Sequence, residues 1–370
     1  MSKLIQTPKS NLNTNSILEF SDAASQKPLV SIVCITFNHE DYISQAIDSF
    51  LSQKTSFSFE IVIHDDASTD GTNGIIDKYV QEYPNLIKVI RQSENQYSKG
   101  IKAYPIAVKS CSGNYIALCD GDDYWVSKNK LQIQVDALNF NTDVDLCFHS
   151  AYKLIENNQY KNYNSGLQYL YFSDLRLFFS KLKINNNNDS VIITPEKVIK
   201  RGGEFMHTGS LLIRAEVLKS LPLFLNTSAV SDYYFQILGS VRGGAVYLDQ
   251  IMSCYRYDSA SNSWSNRMKN IEKKFSWYAK TIQTNALLNE HLEYKFNRSF
   301  IFINSSLFCH MSLFYIRQRK FNEYFSLVHQ TQDNIQLSGK VYCVILFFSK
   351  PFIWLLHKSN IIFLKSKKPN

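Results

Sequence analysis

Leu118-Cys119-Asp120-Gly121-Asp122-Asp123-Tyr124-Trp125 is the stretch on which the reading of the chain turns. An apolar run, Tyr115 to Cys119, ends in three carboxylates within four residues. That pattern predicts a buried strand opening at its C-terminal end into an acidic loop. Like charges this close repel and raise one another's pKa, a cost that a bound cation removes. Asp-x-Asp on a loop offers hard oxygens suited to Mg2+ or Mn2+, ions that commonly hold phosphate as well. Asp and Gly are also ordinary turn residues, so the motif alone fits a plain acidic turn equally well. Its surroundings tip the balance.

Upstream, Val30 to Thr36 is a continuous run rich in β-branched residues, typical of a strand covered on both faces. After the polar turn Asn38-His39-Glu40, residues Ile43, Ala46, Ile47, Phe50 and Leu51 fall on one face of a helix. Glu60 to His64 predicts a second strand. It ends in the polar turn Asp65 to Thr72 and a helix carrying Ile75, Ile76, Tyr79 and Val80, which Pro84 stops. Ile87 to Ile90 is a third strand, and Pro105 suits the first turn of a short helix. Beyond the acidic loop, Leu131, Val135 and Leu138 mark a helix and Leu146 to Phe148 a strand.

Strands alternating with helices predict an α/β fold with a mainly parallel sheet. Right-handed crossovers bring the strand ends to one edge, where ligands sit in open sheets of this kind. Asp65-Asp66 and Asp120 to Asp123 both stand at such ends, so the topology gathers them at one crevice. No Gly-x-Gly-x-x-Gly and no Gly-Lys-Ser/Thr loop occurs. A nucleotide here must therefore be held by carboxylates and a metal.

The bulk numbers are compatible. The 370 residues are enough for one large domain or two smaller ones, and 45% are apolar, as in globular chains. A net charge of +8 suits an anionic partner without choosing among them. Seven scattered cysteines without Cys-x-x-Cys spacing read as reduced thiols in a cytosolic protein. Residues 1–27 are polar, lack the order of a signal peptide and read as a flexible leader. Residues 152–192, rich in Tyr and Asn, predict an irregular, variable insertion that is partly ordered. Order is expected to resume at Thr194-Pro195-Glu196, a helix start that Gly202-Gly203 closes. Leu211 to Ile213 then predicts a short strand, Ser231-Asp232 heads an apolar helix, and Ala245 to Tyr257 is strand-like.

Four of these stretches, in this order, resemble family 2 glycosyltransferases of the GT-A fold. They are Val30 to Asn38, His64 to Thr72, Ser112 to Trp125 and Ser231 to Tyr234. The resemblance covers residues 28–265, after the leader; 266–370 are expected to form a helical extension. It implies an inverting, metal-dependent hexosyl- or N-acetylhexosaminyltransferase of surface-polysaccharide synthesis, using a UDP-linked sugar with Mn2+ or Mg2+. A nucleic-acid partner is not implied. Asp66 would contact the base, with Asp65, Thr36, Phe37 and Asn38 lining the nucleotide pocket. Asp120 and Gly121 would lie near the ribose or diphosphate, and Lys99 would reach a phosphate. Asp122 and Asp123 would hold the metal, and Asp232 would be the base. Two departures stand out: Thr36 replaces a commoner proline, and Ser231 replaces the Glu usually found before the base. Asp258 stands where the family often has His.

Blander readings exist for each residue. Asp232 is also a natural helix cap, and Asp66 an ordinary turn residue. His39, His64, His149 and His207 lack metal-ligand spacing and read as structural or pocket-lining. Trp125 and Trp264 read as core, with sugar stacking as the minor alternative. The apolar tail Tyr342 to Leu356, followed by Lys365, Lys367 and Lys368, is too short to span a bilayer. It suits either a helix packed on the core or a segment resting on an anionic inner membrane surface. The rival functions are a sugar-phosphate nucleotidyltransferase and a non-catalytic nucleotide-sugar-binding module.

Overall fold

The computed structural model describes residues 27–155, 159–163, 190–201, 203, 205–228, 232–257, 268–320, 322–323 and 326. The leader before Lys27, most of the insertion, Gly202, Ser231, Asp258, Trp264 and the tail from Tyr342 lie outside the described residues. The chain divides into two compact units, Met1–Asn266 and Arg267–Asn370.

In the first unit β1 (Val30–Thr36), α1 (Ile43–Leu51), β2 (Phe59–Asp65), α2 (Thr72–Glu82), β3 (Ile87–Arg91), α3 (Ala103–Val108) and β4 (Tyr115–Asp120) alternate. The order β3-β2-β1-β4 is parallel throughout. β1 is central in this half, which is why its side chains Val30, Ile32, Val33 and Cys34 are all fully buried. α1 covers it with Ile43, Ala46, Ile47 and Phe50, each at 0% exposure. Its apolar stripe is the one the helical spacing predicts.

Beyond β4 the sheet is mixed. The further elements are β5 (Tyr124–Trp125), α4 (Lys130–Phe140), β6 (Leu146–Ile155), β7 (Gln159–Tyr163), β8 (Ser190–Ile193) and α5 (Pro195–Arg201). They are followed by β9 (Leu212–Arg214), α6 (Ala215–Lys219), α7 (Asp232–Ser240) and β10 (Ala245–Arg256). The sheet continues β4-β9-β6-β10-β5, with β7 on β6 and β8 on β10. β9 lies antiparallel to both neighbours, while β6 and β10 run parallel to each other. The register of β10 slips between Leu248 and Ser253, a bulge that re-aims the end of the strand.

Within the stretch 152–192, expected to be a partly ordered insertion, the described parts are strands. β6 continues to Ile155 because β10 and β7 pair with it on both sides. Ser190-Val191-Ile192-Ile193 pairs with β10 along four residues.

The second unit contains α8 (Ile271–His291) and α9 (Asn297–Arg317). The Asn270 side chain caps α8 by accepting the Lys273 N–H at 3.0 Å. The two helices meet through Phe275 against Phe314 and Tyr315, and through an Asn285 to Asn304 hydrogen bond of 2.8 Å. Among the described residues one stretch, Asn297–Ile316, has the length and apolarity to cross a membrane; half of it is buried, as in a packed helix.

Candidate active site

Register sets the site. Thr36 stands beside Asp65 and Ile35 beside Asp120, so the C-terminal ends of β1, β2 and β4 form one ledge. The loops leaving it are stitched together. Asp66 N–H donates to the Thr36 carbonyl at 3.0 Å, and Gly121 N–H to the Ile35 carbonyl at 2.8 Å. Gly121 is required by close approach, since a Cβ there would lie 2.8 Å from Thr36 Oγ1.

The expected pocket loops after β1 and β2 interlock. Asn38 (φ 55°) and Ala67 (φ 65°) both adopt the left-handed conformation. Such backbone strain gathers at ligand sites. Asn38 N–H donates to Ser68 Oγ at 2.9 Å, and its Oδ1 accepts from Thr69 N–H at 2.8 Å. Asp65 accepts from Ser68 through both hydroxyl and N–H, and from Asn73 at 3.2 Å. Asp66, 3% exposed, accepts the N–H groups of Gln96 and Tyr97 at 2.8 and 3.0 Å. These two carboxylates thus shape the ledge and pin the 96–99 turn. Lys99 on that turn is paired with Glu94, so reaching a phosphate requires that pair to open. Phe37 is partly exposed at the rim.

The acidic loop after β4 lies beside α7. Tyr104 donates its hydroxyl to Asp120 Oδ1 at 2.7 Å, and its ring meets Phe235 of α7 edge-on. Burial pushes the Asp120 carboxyl well above its ordinary range, and the like charges of Asp122, Asp123 and Asp232 push further. Those four carboxylates therefore share one electrostatic field. Asp232 opens α7. It accepts the Tyr233 N–H at 2.9 Å, a cap-like contact, and the Thr208 hydroxyl at 3.3 Å. Burial pushes its carboxyl up as well.

Asp123, expected to hold the metal with Asp122, is bonded on both sides. Its Oδ2 meets His207 Nε2 at 2.9 Å and its Oδ1 accepts the Arg256 N–H at 2.8 Å. Both of its oxygens are thus held by hydrogen bonds, and its side-chain exposure is 1%. Among the described residues no group of three or more His, Cys, Asp or Glu forms a cation cage. The donor set still suits a hard cation. Asp122 is a half-buried carboxylate whose neighbours Asp120, Asp123 and Asp232 are carboxylates too. Mg2+ and its relatives are commonly held by one or two carboxylates plus substrate phosphates rather than by a full protein cage.

His207, which reads from the sequence as structural or pocket-lining, and Arg256, without an assigned role, are part of this centre. His207 bridges to Asp123, and Arg256 lies between the rings of Tyr42 and Tyr124 at 4.9 and 4.8 Å. The Arg256 guanidinium donates to the Asp122 carbonyl and to Gln45 Oε1. Neither contact has a local spacing signal, because each partner lies far away in the chain. Trp125 is core: it packs on Phe50, and its Nε1 donates to the Gly209 carbonyl at 3.1 Å. His64 and His149 are buried, and His39 Nδ1 lies 3.2 Å from Thr36 Oγ1.

The sheet order, the ledge and the acidic loop together define a GT-A type glycosyltransferase fold. Residues 31–203, a little under half of the chain, match the family model described as Glycosyl transferase family 2. An uncharacterised protein of Mycobacterium bovis is 41% identical over 128 residues, 34% of this chain and 36% of that one. The chain thus spans little over a third of that relative's length. Escherichia coli WfgD, named as a UDP-Glc:alpha-D-GlcNAc-diphosphoundecaprenol beta-1,3-glucosyltransferase, is 29% identical over 67% of this chain and 84% of its own. Bacillus subtilis TuaG, a putative teichuronic acid biosynthesis glycosyltransferase, is 37% identical over 30% of this chain and 42% of its own. Among solved structures, S. aureus TarS 1–349 with UDP-GlcNAc aligns over 84% of this chain and 93% of that one. Its TM-score is 0.48 and the identity 16%.

Proposed function

We propose that the protein transfers a sugar, with inversion, from a UDP-linked donor to a hydroxyl of a glycan or lipid-linked glycan in surface-polysaccharide synthesis. One observation carries this reading: Asp232 shares one electrostatic field with Asp120 and Asp122 of the acidic loop, far from it along the chain, at the C-terminal edge of the parallel strands. The names of WfgD and TuaG support the donor and the acceptor class.

The acceptor hydroxyl is a weak nucleophile at neutral pH. Asp232 takes its proton as the oxygen attacks the anomeric carbon from the face opposite the diphosphate, a contribution of roughly 10²–10⁴ in rate. Burial moves the Asp232 pKa upward, the direction that makes a carboxylate a stronger base. The ledge of Thr36, Phe37, Asn38, Asp65, Asp66 and Gly121 receives the nucleotide, and Lys99 reaches a donor phosphate once freed from Glu94. Asp122 would hold Mn2+ or Mg2+ on the diphosphate. When bound, that cation neutralises the charge gathering on the leaving UDP.

The test is UDP release from a panel of UDP-sugars with Mn2+. Release of UDP from one donor, lost in Asp232→Asn, supports transfer. Pyrophosphate formed from UTP and a sugar phosphate would instead indicate a nucleotidyltransferase. Binding of UDP-sugar without turnover on any acceptor tried would indicate a non-catalytic module. A lipid-linked acceptor implies work at the cytoplasmic membrane face, with the basic tail as the contact. Flotation with phosphatidylglycerol vesicles, lost when the chain is cut before Lys340, tests that contact.

A further inference from the structure

We propose that His207 is a positioning residue: held by Asp123, it sets the Thr208 hydroxyl against Asp232 and so fixes the base relative to the acidic loop. This role presumes sugar transfer at this centre, with Asp232 as the base.

The His207 and Asp123 side chains are 5% and 1% exposed and meet at 2.9 Å. A buried carboxylate that loses such a partner is left uncompensated, so the pair is a strong constraint. Because Asp123 also takes the Arg256 N–H, the pair ties together three segments: the loop after β4, the turn before β9 and the end of β10. The imidazole is enclosed. Tyr255 packs on it at 4.8 Å between ring centres, Ser253 Oγ lies 3.5 Å from Nδ1, and a Cβ on Gly209 would stand 2.8 Å from its ring.

The turn around it is fixed from below. Gln236 donates to the Met206 carbonyl at 3.0 Å, Trp125 to that of Gly209 at 3.1 Å, and Gln134 to that of Ser210 at 2.8 Å. Thr208 is the half-buried member of this turn, and its hydroxyl reaches Asp232 Oδ2 at 3.3 Å. A rigid turn thus presents one hydroxyl to the proposed base. Placement matters at this scale, since a shift of about 1 Å in a reacting group can cost on the order of a hundredfold in rate.

The experiment uses the full chain and the variants Thr208→Val, Thr208→Ser, His207→Gln and His207→Leu. It reads UDP release from UDP-glucose and UDP-N-acetylglucosamine with Mn2+, UDP binding by calorimetry, melting temperature and crystal structures. Thr208→Val should lower kcat about tenfold while donor KM and UDP affinity stay within about twofold. Thr208→Ser should restore most of the rate. His207→Gln, whose amide can still donate to Asp123, should retain more kcat than His207→Leu. Wild-type kcat in Thr208→Val would overturn the proposal. So would a loss in His207→Leu that only tracks the loss of folded protein. If the wild-type chain binds no UDP and releases none, the transfer reading fails on its own. The positioning role then rests on the crystal structures: Asp232 displaced in Thr208→Val and His207→Leu supports it, and Asp232 unmoved overturns it.

Discussion

The two ends of the parallel strands treat buried carboxylates in opposite ways. Near the N-terminal end, Glu60 on β2 is surrounded by donors. Ser31 Oγ, Ser112 N–H and Ser112 Oγ reach its Oε1 at 2.6 to 2.7 Å, and Lys88 Nζ reaches Oε2 at 2.6 Å. Burial alone would raise its pKa, but these donors outweigh burial and hold it at about 2. At the C-terminal end Asp120 and Asp232 are pushed up, by burial first and, for Asp120, by neighbouring carboxylates next. One end spends its donors on a fully satisfied ion. The other crowds several carboxylates together under burial, as binding and catalytic centres do. The same strands thus carry a stability device at one end and a chemical one at the other.

The sharpest way to break this contrast is at the chemical end. Asp232→Asn keeps size and shape but removes the base. Transfer should fall by roughly 10²–10⁴ while UDP binding and melting temperature hold. A variant that still turned over at a tenth of the wild-type rate would deny Asp232 that role. Asp122→Ala should follow, with a loss on the order of 10² in turnover at fixed Mn2+ that more Mn2+ partly recovers. Asp123→Asn should behave differently, losing melting temperature rather than metal affinity. Equal Mn2+ titrations of the Asp122 and Asp123 variants would mean that both carboxylates serve the cation.

Much of the first half of the fold was legible. Val30 to Thr36 reads as a strand covered on both faces, and the acidic loop shows as three carboxylates after an apolar run, a signal that its surroundings strengthen. Beyond β4 the local signals fade. β6 runs on through Tyr152 and Lys153 because β7 and β10 flank it, a tertiary cause that leaves no periodic trace. Ser190 to Ile193 is a short β-branched run, hidden beside Asn185 to Asn188. At the site, adjacency hides a long-range contact. Asp122 and Asp123 looked like one ligand pair, yet Asp123 leads into β5 and turns to His207, 84 residues on. Adjacent side chains on extended chain point apart, and the partner of a buried one cannot be read from spacing.

The satisfied end offers the next test. Glu60 in the folded protein titrates at about 2, below its ordinary value of 4.5. The unfolded chain therefore binds its proton first as pH falls. The stabilisation is complete above about pH 4.5 and is lost as pH drops toward 2. Glu60→Gln should cost about 2 kcal/mol at pH 7 by leaving Lys88 and the Ser112 donors less well paired. Urea melts of the two proteins should converge as pH is lowered through that window, with kcat per folded molecule unchanged. A gap constant from pH 7 to pH 3 would show that the hydrogen-bond geometry, not the charge, is what stabilises.

Lys130 supplies the smallest and most discriminating effect, because it lies between the two regimes. It is fully buried, its Nζ sits 4.1 Å from the Trp125 ring centre, and it donates to Gln134 Oε1 at 2.7 Å. Burial lowers its pKa from 10.5 to about 7. Between those values the unfolded chain holds a proton that the folded chain releases, so stability should rise with pH there. The rise expected from pH 7 to pH 8 is about 1 kcal/mol. Lys130→Met, similar in volume, should remove that slope while other titrations cancel in the comparison. A slope shared equally by both proteins would mean that Lys130 stays charged in the core. The cation over Trp125 would then be a permanent brace beneath the 207–210 turn rather than a neutral amine packed against it.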